Sequence, residues 1–189
     1  VLILAETGIH GIVSITDNGT ANRDIYVESE QEIGGLLESA GVDQVDYRTA
    51  IVNPLVRNEE ILYQLNGMSM YSSTNTEEMW NFVKNMGFEN LENRFQYAGS
   101  TEVMDMLLGI RYLFCRNTRT LHTAYKKIAE SQSFDLYENP RALRSGYMVS
   151  DSVLDYAMEG TDPLEVQNRL LSGIVGKRLY KMQTVNSDT

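Results

Sequence analysis

The chain has 189 residues, of which 42% are hydrophobic and 22% charged, a balance that suits one globular domain with a sizeable core and argues against a disordered polymer or a membrane-embedded chain. Acidic residues outnumber basic ones by 26 to 16, a formal charge of -10, so the average surface repels phosphate backbones and nucleic acid is not expected as a partner. With one cysteine, Cys115, and two histidines, His10 and His122, there is no internal disulfide and no zinc-like spacing, and neither metal nor cofactor is expected.

The chain opens on Val1 without a charged leader, which reads as a boundary or a processed start. Val1 to Leu4 is far short of the roughly 20 apolar residues that cross a bilayer, so any membrane anchor is expected outside these residues. Thr16 to Asp24 reads as a polar loop with an Asn18-Gly19 turn, and Asn18-Gly19-Thr20 is formally a glycosylation acceptor, a pattern short enough to arise by chance. Ser29 and Glu32 form a capping box ahead of the stripe Ile33, Leu36, Leu37 and Ala40, which Gly41 ends. Strands are predicted at Tyr47 to Val52 and Met68 to Tyr71.

Asn75 and Glu78 open a second helix whose apolar side is Met79, Phe82, Val83 and Met86, with Trp80 on its flank and Gly87 as the stop. Ser100 is the expected cap of a third, carrying Val103, Met106, Leu107 and Ile110 into a buried strand, Arg111 to Cys115, in which Cys115 acts as a small hydrophobe. Ala124 to Ala129 and Phe134 to Tyr137 flank the polar residues Glu130 to Ser133, as an antiparallel hairpin requires. A strand at Tyr147 to Val149, a helix opened by Asp162, Pro163 and Glu165 and closed near Gly176, and a strand at Arg178 to Val185 complete the reading. The expected class is α/β in the mixed α+β sense: a small mixed β-sheet with packed helices, in one domain over residues 1–189.

No Gly-rich phosphate loop, Gly-x-Ser-x-Gly elbow or His-Glu-x-x-His motif occurs, and His10 and His122 read as surface residues. Asp151, Asp155 and Glu159 read as one solvated helix face, and Arg111, Arg116, Arg119, Lys126 and Lys127 as a solvated basic one. In the run Asn66 to Ser73, hydroxyl groups at a strand end can hydrogen-bond a polar ligand, or Ser72, Ser73 and Thr74 merely satisfy a turn and a cap. Arg48 inside a strand-like run must leave the sheet or meet an acid. Asp105 is the natural partner, either in a structural ion pair or in a polar pocket holding both.

Taken together and in order, Tyr47-Arg48-Thr49, Gly67-Met68-Ser69-Met70-Tyr71-Ser72-Ser73, Tyr97-Ala98-Gly99-Ser100-Thr101 and Asp105-Met106-Leu107-Leu108-Gly109-Ile110-Arg111-Tyr112-Leu113 resemble the YfhO family of bacterial polytopic membrane proteins. Leu136-Tyr137-Glu138-Asn139-Pro140-Arg141, Gly146-Tyr147-Met148-Val149, Asp162-Pro163-Leu164 and Gln167-Asn168 fit the same order, so the resemblance spans residues 47 to 176. It implies a membrane glycosyltransferase of the C type, with many spanning helices, a lipid-linked sugar donor and a large soluble region on the outer face, associated in Firmicutes with adding sugars to teichoic acids.

On that resemblance the chain is the extracytoplasmic domain of a cell-membrane protein, joined to the transmembrane portion of the same polypeptide. It supports sugar transfer to cell-wall polymers without catalysing it, since the catalytic acid of such enzymes stands near the spanning helices. Arg48, Tyr71, Ser72 and Asp105 match the motifs and are the candidate ligand-binding residues, with a glycan or teichoic acid acceptor as the ligand. The alternative is a structural or interaction module docking a partner at the cell surface, and a free-standing hydrolase is the third reading.

Overall fold

The computed structural model describes residues 2–17, 22–91, 93–117, 125–155, 160, 162–176 and 180. The chain divides into two units, Val1–Gln31 and Glu32–Thr189. In the first, helix α1 runs Leu2–Asp17, and Asn22 Oδ1 accepts from the Asp24 amide at 3.0 Å to start helix α2, Asp24–Ser39. Residues 32–39 of α2 belong to the second unit.

That unit continues through β1 (Arg48–Val52), α3 (Glu59–Leu62), β2 (Met70–Tyr71), α4 (Glu77–Asn85), β3 (Asn90–Leu91), β4 (Arg94–Phe95) and α5 (Glu102–Leu107). Then come β5 (Ile110–Arg116), β6 (Lys126–Glu130), β7 (Phe134–Glu138), a 3-10 turn at Asp151–Asp155, and α6 (Pro163–Val175). Helices and strands of both pairings make this the mixed α/β class that the alternating patterns predict.

Four strands form one sheet in the order β1-β5-β7-β6, with β1 parallel to β5 and the other pairs antiparallel. β5 is apolar almost throughout because it lies inside the sheet and both its faces are covered. On one face Tyr112 and Phe114 pack with Ile51, Phe134, Leu136 and the α2 residues Ile33 and Leu36. On the other, Leu113 packs with Ala50 and Tyr125, as the period-two alternation of strands dictates, and Ile110 joins them where the β1–β5 register shifts between Arg48 and Thr49, whose partners are Ile110 and Tyr112. A second core joins Val83 of α4 and Met86 at its C-terminal cap, Phe95 of β4, Met104 and Leu107 of α5, and Val166 and Leu171 of α6, beside a small antiparallel sheet ordered β2-β4-β3.

The connection from β1 to β5 must cross over to keep the two strands parallel, and α4, the small sheet and α5 all lie in that crossover. Gly99 closes it: its φ is +80, and a Cβ there would stand 2.5 Å from the Gly87 carbonyl oxygen. Gly99→Ala therefore adds left-handed strain to a backbone clash and should lower the urea-unfolding free energy by about 2 kcal/mol.

Several expectations shift. Two caps move by one residue: Thr76 Oγ1, not Asn75, accepts from the Met79 amide, and Thr101 Oγ1, not Ser100, accepts from that of Met104. In both places two cap-competent residues adjoin, and packing of the helix face selects the register. The Ser29/Glu32 box does not form, because α2 starts at Asp24 and places Ser29 inside the helix. Glu32 instead accepts from Ser131 Oγ at 2.5 Å and from the Ser133 amide and hydroxyl, each at 2.8 Å, locking the β6–β7 turn.

Asp162 caps α6 as expected and Gly176 ends it. Tyr147 to Val149 is exposed and irregular rather than a strand, with the Tyr147 hydroxyl donating to the Leu107 carbonyl at 3.0 Å. Thr16 and Asp17 are helical, while Asn18-Gly19-Thr20, Arg119, His122, Ala124, Glu159 and all of Arg178 to Val185 except Tyr180 lie outside the described residues. The sixteen-residue helix α1 and the short elements α3, β3 and β4 are additions to the sequence reading.

The basic face also dissolves into separate pairs. Arg116 is buried against Glu59, with its guanidinium 4.4 Å from the Phe134 ring centre. Arg111 donates through Nε and Nη2 to Glu138 Oε1 at 3.0 and 2.6 Å while lying 4.5 Å from the Tyr47 ring centre. Lys126 is exposed, and Lys127 bridges Glu130 and Asp135. Strand alternation turns Arg116 to the buried face, which no count of charges along the chain reveals.

Candidate functional site

Where β1 begins, a cleft of ≈ 620 Å³ opens between the residue 66–70 segment and helix α4. Met68, Met70, Met79, Phe82 and Phe95 line it with apolar surface, and Arg48 is the one cation among its lining residues. Glu78 is the one carboxylate in that lining, so size and lining suit a ligand with C–H faces that offers an anionic group to Arg48 and a hydroxyl to Glu78. The guanidinium is oriented by its Nη1, which donates to the Leu108 carbonyl at 2.6 Å, while the Arg48 amide donates to that of Gly109 at 2.7 Å.

The other candidates stand elsewhere. Tyr71 is exposed on β2, its backbone bracketed by the Asn58 side chain through bonds of 2.7 and 3.0 Å, with the Arg57 guanidinium 4.7 Å from its ring centre. Ser72 is engaged in the turn: its hydroxyl bonds that of Thr74 at 2.8 Å and accepts from the Thr74 amide at 3.1 Å. Arg48 and Asp105 do not pair; each has its own partners. Met68 and Met70 carry the Gly67 to Tyr71 motif to Arg48, but Tyr71, Ser72 and Asp105 are not part of that lining.

Asp105 is buried at 3% exposure and accepts three hydroxyls: Ser100 Oγ at 2.5 Å, Tyr125 Oη at 2.7 Å and Tyr97 Oη at 2.8 Å. Burial raises its carboxyl above the ordinary range, outweighing the three donors, and the same burial together with the Asp105 carboxylate pushes both phenols upward. Helix α5, the 97–101 segment and residue 125 are thus tied through one carboxylate.

Two buried acids escaped the sequence reading. Glu59 accepts from the Leu55 amide at 2.7 Å and the Tyr63 hydroxyl at 3.0 Å besides its ion pair with Arg116. Glu60 accepts from the Ile51 amide at 3.0 Å and from the Ser69 amide and hydroxyl at 2.8 and 3.0 Å, and burial raises its carboxyl despite these donors. It explains the glycine of the 67–71 motif, since a Cβ on Gly67 would lie 2.2 Å from Glu60 Oε2 and 2.6 Å from Glu60 Cβ. The available signal was Glu59-Glu60 followed by Ile61 and Leu62, an acidic pair where a short helix meets the core.

The remaining motifs are ties of the same kind. Gln167, buried in α6, accepts from Thr101 Oγ1 at 2.8 Å and donates to the Met86 carbonyl at 2.8 Å, joining α5 and α4. Asn168 exchanges two bonds with the Tyr180 backbone, at 2.9 and 2.8 Å. Asn139 donates its amide and side chain to the Arg111 and Ile110 carbonyls at 2.7 and 3.3 Å, closing the end of β7 on β5.

Among the described residues no group of three or more His, Cys, Asp or Glu is arranged to hold a metal ion. No described helix is long and apolar enough to cross a membrane. No curated protein and no solved structure matches the chain. The motifs resolved here as Glu60–Gly67, Asp105 with its hydroxyls, Asn139 and Gln167 lie inside a match that covers residues 1–188, and by that match the chain belongs to the family described as Bacterial membrane protein YfhO.

Proposed function

We propose that this chain is the extracytoplasmic part of a membrane glycosyltransferase-like protein, and that it positions a cell-wall polymer acceptor, such as a teichoic acid, without catalysing transfer. Membership of a bacterial membrane protein family supports the setting. The observation that carries the binding role is the cleft with Arg48 among apolar walls. A polyol phosphate or anionic glycan offers C–H faces to Met70, Met79 and Phe82 and an anionic oxygen to Arg48, whose fork geometry suits phosphate.

The test is acceptor modification by the protein in membranes carrying Arg48→Ala or Tyr71→Ala, with folding checked by thermal unfolding. Arg48→Ala should raise the acceptor KM about tenfold, the loss of one charge-assisted hydrogen bond, with the unfolding transition retained. Tyr71→Ala reports whether acceptor contact extends past the cleft to β2. Unchanged transfer in both variants rules out the binding role.

A further inference from the structure

A second cleft, of ≈ 460 Å³, stands at the carboxyl end of β1 and shares no lining residue with the Arg48 cleft at the strand's start. Crevices outside the carboxyl ends of strands are where open α/β sheets take ligands, and β1 runs parallel to β5. Asn53, Pro54, Glu89, Gln96, Tyr97 and Ser100 contribute to its walls. The side-chain amides of Asn53 and Gln96 make no hydrogen bond among the described residues, so two groups that each donate and accept are left for a ligand. Ser100 Oγ donates to Asp105 at 2.5 Å, which keeps its lone pairs for an incoming hydroxyl. Tyr97 commits its hydroxyl to Asp105 at 2.8 Å, which leaves ring and backbone to face the cleft.

Charge narrows the kind of ligand. None of the described lining residues is Lys, Arg or His, so an anion finds no partner there. The one carboxylate, Glu89, stands 3.7 Å from the Arg94 guanidinium, so a cation meets no uncompensated charge either. We propose that this cleft binds a neutral pyranose ring. The Asn53 and Gln96 amides, the Glu89 carboxylate and Ser100 Oγ take its hydroxyls, and Pro54 with the Tyr97 ring takes its C–H face. The Arg48 cleft asks for an anionic group instead, and with no residue in common the two sites stand or fall separately.

The test uses variants that spare the fold. Asn53 holds a left-handed φ of 63 ahead of Pro54, a conformation glycine takes freely, so Asn53→Gly deletes the amide and keeps the turn. Gln96→Ala removes a side chain that bonds no described residue. Saturation-transfer difference NMR on the protein, with methyl α-D-glucopyranoside, methyl β-D-galactopyranoside and N-acetylglucosamine as probes, should show transfer to at least one of them. Its Kd should rise about fivefold in each variant, the loss of one or two neutral hydrogen bonds, while thermal unfolding is retained and Arg48→Ala leaves binding unchanged. Sorbitol, the acyclic counterpart of glucose, should bind more weakly, and methyl phosphate and tetramethylammonium should receive no transfer that Asn53→Gly abolishes. No transfer to any of the three sugars would overturn the proposal, as would sorbitol binding equal to theirs. So would sugar binding that survives Asn53→Gly and Gln96→Ala but disappears in Arg48→Ala, which would assign the sugar to the other cleft.

Discussion

Arg116→Ala should lower the unfolding free energy by about 3–5 kcal/mol, the largest effect expected of any single substitution in this chain. The cause is the charge left behind. The Glu59 side chain is wholly buried and that of Arg116 is 10% exposed, so removing the guanidinium strands a carboxylate where water does not reach it. The Leu55 amide and Tyr63 hydroxyl remain as donors but cannot replace a cation. A double-mutant cycle in urea checks the account: Glu59→Met combined with Arg116→Met should recover much of the loss, because an apolar pair of similar volume carries no desolvation cost. A double variant as unstable as Arg116→Ala alone would point to lost packing over Phe134 rather than to charge.

The second large effect is at Asp105. Asp105→Ala removes the common acceptor of Ser100, Tyr97 and Tyr125, and should cost about 3 kcal/mol or more, since a hydrogen bond to a charged group contributes roughly 1.5–3 kcal/mol and the three are not additive. Asp105→Asn keeps an acceptor oxygen and should cost less. Its informative readout is pH.

The folded-state pKa of Asp105 is raised by burial, so the folded protein holds a proton over a range where the unfolded chain has released it. The stability this contributes is full below the ordinary carboxyl pKa and is lost as pH rises through the raised value. Glu60 acts in the same direction, also through burial. Glu32 opposes them: burial raises its pKa, but the Ser131 and Ser133 donors prevail and lower it, so its contribution is lost as pH falls. Asp105→Asn should therefore flatten the decline in urea midpoint between mildly acidic and neutral pH, and Glu60→Gln should remove a further part of it. A pH profile unchanged in both variants would mean that neither carboxyl titrates in that range.

Much of the fold was written in local patterns. The stripe Ile33, Leu36, Leu37 required a helix over that segment, Asp162-Pro163 marked the start of α6, and the apolar run at Tyr112 to Cys115 specified a strand covered on both faces. These signals are readable because each depends on neighbours within a turn or two of chain. The family was legible from motifs in order along the chain, and in the fold several of them sit at tertiary ties: Gly67 leaves room for Glu60, while Asp105, Asn139 and Gln167 hydrogen-bond across elements.

What the chain alone determined about this protein is its mixed α/β class, most of its helices and principal strands, and its family, since periodicity, caps and turns act over short distances. Tertiary structure decided which acids and bases meet. Arg48 goes to the Leu108 carbonyl rather than to Asp105, and Arg116 leaves the solvated face assigned to it for Glu59, 57 residues away. Only the fold's crossover from β1 to β5 brings such groups together. Once they are buried, the cost of an unpaired charge, not its place in the sequence, selects the partner.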